Sequence, residues 1–184
     1  LRQTDRPLCF LAPSYPEQSR VLIGGIMLVR ERPLALTETA LDTLSPVRES
    51  HVHKLLASQT TLPLGTVDIT IVASGKQGLR KAVDNERRAG RKIIIFDAMK
   101  RQDLSTIAKV ALSMEPIPIL AGSAGLAEEV ARLISAEKVT KISERRHSFR
   151  HILIIGGSTS SVTRAQLQRL CGEGLPSFEL TKDF

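Results

Sequence analysis

Two strand-to-helix turns carry residue types suited to holding an anion. In ILIIGGSTSSVTRAQL (152–167) an apolar run breaks at Gly156 and Gly157 into the hydroxyls of Ser158, Ser160 and Ser161, then turns helix-like. In PIPILAGSAGLAEEVARLI (116–134) a second apolar run ends at Gly122 and Ser123 before another helical pattern. Glycine lets a phosphate or carboxylate approach the backbone, and serine adds a hydroxyl donor. A helix amino end adds unpaired N–H groups and the positive end of its dipole. The same residues are also preferred helix N-caps, so either turn alone reads first as a plain helix start. Neither is a Walker A sequence or a G-x-G-x-x-G fingerprint. Asp97 is the third candidate. It ends the run IIIFDA, where a carboxylate can bind a hydroxyl, a metal-bound water or a lysine, or can cap or fix a loop.

These residues need a scaffold that brings strand ends to one edge. PLCFLAP (7–13) and DITIVAS (68–74) read as short strands, and RKIIIFDA (91–98), PIPILAG (116–122) and HILIIGG (151–157) as strands buried on both faces. Helical patterns lie between the later ones. Leu79, Ala82 and Val83 share a face that ends at Gly90; Leu104, Ile107, Ala108, Ala111 and Leu112 form a second; Leu126, Val130, Leu133 and Ile134 form a third. Strand alternating with helix predicts an α/β fold, a mostly parallel sheet with helices on both faces. Ligands of such sheets bind beyond the carboxyl ends of the strands. The segment SRVLIGGIMLVRERPLALTETALD breaks the alternation, and its Gly24-Gly25 pair suggests an antiparallel excursion or flap. The polar, basic stretch EKVTKISERRHSFRH separates the last helical pattern from Ile152. The predicted organisation is therefore a domain over 1–136, a linker over 137–150 and the start of a second α/β domain over 151–184.

Composition narrows the function classes. The 184 residues are 42% hydrophobic, ordinary for a globular chain. The apolar runs are far shorter than the roughly 20 residues of a membrane span, and the amino end lacks the layout of a secretory signal. A cytoplasmic protein without a membrane partner is expected. Cys9 and Cys171 stand apart with no zinc-type spacing, so they read as buried thiols, and no metal site is predicted. His51, His53, His147 and His151 read as surface residues. The net charge of +7 is spread among interleaved acids and aromatics are only 3%, which argues against nucleic acid and leaves a surface congenial to small anions.

Five segments in order, LAPSYPEQSR, PLALTETALDTLSPVRESHVHKLLASQT, IIIFDAMKRQDLSTIA, ILAGSAGLAEEVA and ILIIGGSTSSVTRAQL, resemble the four-carbon acid sugar kinases. That family shows APAFPxxGR, ETxxxxDxxxPVxxS, DAxxxxDLxxIA, GSAGLA and GSxSxxTxxQ in the same order. The resemblance implies ATP-dependent phosphorylation of a tetronate, with ATP and Mg2+ as cofactors, by a two-domain α/β protein. The ETALD…SPVRES pattern is closer to the D-threonate and D-erythronate branch than to the 3-oxo-tetronate branch. The family resemblance implies nucleotide contacts at Gly157, Ser158, Ser160 and Thr163, and a substrate cleft near Asp97, Gly122, Ser123 and Arg20. Ser19 stands where the family pattern has the glycine before its arginine. The family's DDxTGA and KxDSTLRG stretches are expected ahead of Leu1, and its GGxTA loop beyond Phe184, so the chain reads as the middle of a longer protein. The apolar strand near Leu153 and Ile155, left without a neighbour, would invite self-association, leaving a homo-oligomer open. The competing reading is a non-catalytic α/β domain that binds or senses a small anion.

Overall fold

The computed structural model describes residues 6–42, 44–135, 151–158 and 160–179. The chain divides into two compact units, Leu1–Thr140 and Lys141–Phe184. The linker expected over 137–150 lies outside the described residues.

In the first unit, strands β1 (Cys9–Ala12), β5 (Leu64–Val67), β6 (Ile93–Phe96) and β7 (Ile119–Gly122) form a parallel sheet in the order β5-β6-β1-β7. The β-branched run Ile93–Ile95 suits a strand buried on both faces. Successive side chains point to opposite faces, so Ile94 and Phe96 enter one core while Ile95 enters another. Phe10 and Ala12 of β1 join the first core, with the Phe10 and Phe96 rings 4.7 Å apart. Helices α3 (Lys76–Arg88), α4 (Arg101–Leu112) and α5 (Ala124–Ile134) supply Leu79, Val83, Leu104, Ile107, Ala108 and Leu126 to it. The connections β5 to β6 and β6 to β7 run in the same direction across the sheet. Right-handed crossovers then place α3 and α4 on one face, and these two helices pack together.

The opposite face carries the predicted antiparallel excursion. Strands β2 (Arg20–Ile23), β3 (Ile26–Val29) and β4 (Arg32–Pro33) form a three-stranded sheet, and with α1 (Val52–Ala57) it encloses a smaller core of Leu22, Met27, Val52 and Ile95. Both hairpins turn in two residues. Gly24 and Gly25 have φ of 57° and 75°, and Arg30 and Glu31 have φ of 50° and 64°. Positive φ at both central positions matches the twist of the flanking strands. Ser19 also sits in the left-handed region, at φ 53° and ψ 34°. This accounts physically for the glycine of the family pattern, because a side chain is strained there. Ser19→Gly is expected to stabilise the unit by about 0.5–1 kcal/mol, the left-handed penalty less the extra entropy of an unfolded glycine. A denaturant midpoint that does not rise would show that Ser19 carries no strain.

Three expectations need correction. DITIVAS is not a strand: Asp68 accepts hydrogen bonds from the amides of Thr70 (2.8 Å) and Ile71 (3.0 Å) and so starts the short helix α2 (Ile69–Ala73). The strand lies just before it, at Leu64–Val67, and the N-cap overrides the β-branched composition. HILIIGG is not a strand either. None of the described residues pairs with it, and Ile152, Leu153 and Ile155 are exposed, so its backbone lacks the ladder that would make it one. Finally, Cys9 is buried as expected but Cys171 is exposed, on the helix α6 (Ser161–Gly172). Among the described residues no helix is long and apolar enough to cross a membrane.

Candidate functional site

The carboxyl ends of the four parallel strands bring Asp68, Asp97, Ser14 and Ser123 to one edge, in the order of β5, β6, β1 and β7. A continuous set of hydrogen bonds joins the last three of these ends to the antiparallel flap. Ser123 Oγ donates to the Ser14 carbonyl, and Ser14 Oγ accepts from the Leu22 amide at 3.0 Å. Leu22 and Ala98 exchange backbone bonds of 3.0 and 3.1 Å. Next to Ala98, Asp97 accepts from the amides of Gly24 (2.7 Å, Oδ2) and Gly25 (3.1 Å, Oδ1).

Asp97 is buried, with 4% of its surface exposed. Burial pushes its carboxyl above the ordinary carboxylate range, against the lowering effect of the Gly25, Gly24 and Ile69 amides, and the neighbouring Asp68 adds to the rise. Both carboxylate oxygens are engaged by the flap turn. Of the roles open to it in the sequence, the geometry shows the loop-fixing one. The turn is held from its other side as well: the Gly25 carbonyl accepts from Val52 N (2.9 Å), and the Ser50 carbonyl from Met27 N (2.8 Å). His51 is therefore not a plain surface residue. Its ring lies so close to Gly25 that a Cβ there would stand 2.9 Å from Cε1, and its Nδ1 is buried without a hydrogen-bond partner.

Arg20 opens β2 and is exposed. Its backbone pairs with Tyr15, through N–H···O bonds of 2.8 and 3.1 Å, where β1 runs out at the carboxyl edge. Side chains two apart on a strand share a face, so Arg20 points to the side of the flap on which buried Leu22 meets the parallel sheet. Hydrogen bonds thus link Ser123 through Ser14 and Leu22 to Ala98, next to Asp97, with Gly122 beside Ser123 and Arg20 on the same strand as Leu22.

Gly122 and Ser123 have local explanations too. A Cβ on Gly122 would collide with the Ala12 carbonyl of the neighbouring strand, so glycine is required there for β1 to approach β7. Ser123 caps α5, accepting from Gly125 N at 3.1 Å. The same corner is braced by Tyr15, whose hydroxyl donates to Glu128 at 2.8 Å, and by Arg101, whose Nε donates to the buried Glu129 at 2.5 Å. The hydrogen bond to Glu128 raises the Tyr15 phenol above its usual range. Ser14, Arg101 and Glu129 are the residues that sequence reasoning missed. Ser14 lies inside the APSYP segment, but no spacing rule ties Arg101 to Glu129, which are 28 positions apart in the chain.

In the second unit, Ser160 caps α6, its Oγ accepting from Val162 N at 3.3 Å, and Ser158 Oγ accepts from Ser160 N at 3.2 Å. Each hydroxyl accepts through oxygen and retains its own proton to donate. Gly157 has open space where a Cβ would stand, and Thr163 is half-buried on the helix. This local arrangement suits a phosphate oxygen. Among the described residues no group of three or more His, Cys, Asp or Glu side chains could hold a metal ion.

A family profile described as "Sugar-binding N-terminal domain" matches residues 1–130. The chain is 31% identical over 172 residues to a D-threonate kinase of Salmonella typhimurium, covering 93% of this chain and 38% of that protein. It is 28% identical over 161 residues to a D-erythronate kinase of Heliobacterium modesticaldum, covering 88% and 35%. The chain therefore spans well under half the length of these curated relatives. Among solved structures, a Haemophilus influenzae protein superposes with a TM-score of 0.69 at 19% identity, over 77% of this chain and 34% of that one. A Bordetella bronchiseptica domain, solved with citrate as a domain-swapped dimer, gives 0.56 at 24% identity, over 68% and 29%. These two likenesses show the fold.

Proposed function

Because the chain belongs to the four-carbon acid sugar kinase family, we propose that it serves ATP-dependent phosphorylation of D-threonate or D-erythronate. The observation that carries this reading is the match across 1–130 to the sugar-binding domain, together with 31% and 28% identity to kinases of these two acids. Identity to a 3-oxo-tetronate kinase of Pseudomonas savastanoi is lower, 24% over 189 residues. Residues 1–136 would hold the acid sugar and 151–184 would open the nucleotide domain.

The assigned roles follow from the chemistry at each position. Arg20, an exposed cation at the carboxyl edge, would pair with the carboxylate of the acid sugar. Ser123 and Gly122 would form the wall of that site beside β1 and β7. The Ser158 and Ser160 hydroxyls, with the open backbone at Gly157 and the Thr163 side chain, would donate to nucleotide phosphates. When bound, ATP supplies the phosphoryl group. The protein's share is positioning of the acid sugar and stabilisation of charge on the transferred group.

The test is ADP release by the protein extended to the full length of its relatives, with ATP, Mg2+ and each of D-threonate, D-erythronate and 3-oxo-tetronate. We expect kcat/KM for one of the first two acids to exceed that for the oxo acid by about tenfold or more, a difference of about 1.4 kcal/mol in transition-state binding. Ser158→Ala should raise the KM for ATP. Tight binding of an acid without turnover would instead favour a small-anion-binding domain.

A further inference from the structure

We propose that Asp97 is a positioning residue: it fixes the Gly24–Gly25 turn and, through β2, sets where Arg20 meets the acid sugar. The inference rests on the function proposed above. Three features carry it. First, among the described residues Asp97 is the sole side chain bonding this turn, and it uses both oxygens, one on each of two consecutive amides. Second, it comes from the carboxyl end of β6, so the bond ties the flap to the rigid central part of the parallel sheet. Third, the flap strand so anchored is short. Its inward residue Leu22 exchanges backbone bonds with Ala98, and Arg20 lies two residues further along the same face.

A shift of the turn is thus passed along only four residues of β2, from Ile23 to Arg20. The Tyr15–Arg20 pairing and the Leu22–Ala98 bonds hold the far end and the middle of the strand, and the Asp97 bonds hold the end at the turn. A guanidinium recognises a carboxylate through a fork of N–H donors whose geometry is exacting, so a small tilt weakens the contact. An ionised carboxylate suits the task because it accepts from both amides at once. An asparagine in its place would turn one N–H2 group against an amide N–H.

Asp97→Asn in the full-length protein tests the idea. We expect the KM for the acid sugar to rise about tenfold while kcat and the KM for ATP stay within about twofold, and the amides of Gly24 and Gly25 to exchange faster. In combination with Arg20→Ala, the Asp97 change should add little, since both act on one contact. A fall in kcat at saturating acid sugar with unchanged KM would overturn the proposal by making Asp97 a catalytic residue. Full additivity with Arg20→Ala would overturn it too. If Asp97→Asn does not fold, Gly25→Ala displaces the turn from the His51 side with the carboxylate intact; the same rise in KM supports the proposal and an unchanged KM refutes it. Should the wild type phosphorylate no tetronate, the proposed function fails by itself. The clamp then stands or falls on whether Asp97→Asn speeds exchange at Gly24, Gly25 and Arg20.

Discussion

Gly122→Ala is expected to destabilise the first unit by about 3 kcal/mol, at the upper end of what overpacking usually costs. The added methyl would be driven into the Ala12 carbonyl, and Ala12 pairs directly with Gly122 between β1 and β7. Backbone in a central strand cannot move aside as a side chain would, and Leu126 Cδ2 would stand only 3.1 Å away on the same side. For a unit of this size the melting temperature should fall by roughly 10 °C. The measurement separates two reasons for a glycine at a strand-to-helix turn. If the residue were there so that a ligand could reach the backbone, the variant would melt close to wild type and lose affinity for the acid sugar instead.

That result would bear on what a sequence can say about such turns. Glycine and serine after an apolar run signal a strand end and a helix start, and at 116–134 both elements form where the pattern places them. The pattern does not say whether the glycine makes room for a ligand or for a neighbouring strand, because that depends on which strands become neighbours. β1 and β7 are more than a hundred residues apart in the chain. Asp97 is a similar case. Its place at a strand end was legible, and so was the Gly24-Gly25 turn, but their meeting spans 73 positions and follows only from the sheet order.

The misread strands have local causes. The β-branched residues of DITIVAS suit a strand, whereas in the fold the Asp68 carboxylate holds two amides and a threonine hydroxyl. These bonds to the ionised form, the Thr70 hydroxyl first, also hold Asp68 below the usual carboxylate range. The apolar run of HILIIGG suits a strand buried on both faces, but a strand needs a partner, and the described residues offer none. The helix after it does form, over Ser161–Gly172, because a helix satisfies its backbone within its own segment. The candidate site was legible as a set of residue types at strand ends. Its bracing by Ser14, Arg101 and Glu129 was not.

Leu22→Ala should cost about 3–4 kcal/mol, within the range for a fully buried leucine, but the loss should be unevenly distributed. Leu22 is wholly buried in the smaller core, with Met27, Val52 and Ile95 and with Leu11, Leu34 and Leu56 packed against it. The main core of Phe10, Phe96, Leu104 and their neighbours lies on the other face of the parallel sheet. Cutting the side chain back therefore weakens the attachment of the flap before it weakens the sheet itself. Amide exchange should accelerate most in β2, β3 and the Gly24–Gly25 turn, and least in β1 and β6. If the Asp97 bonds depend on this packing, the variant should also bind the acid sugar more weakly while retaining most of its helical circular dichroism. Uniform acceleration across both sheets would mean that the two cores unfold as one. The Asp97 clamp would then be a feature of global stability, with no separate mobile flap for it to position.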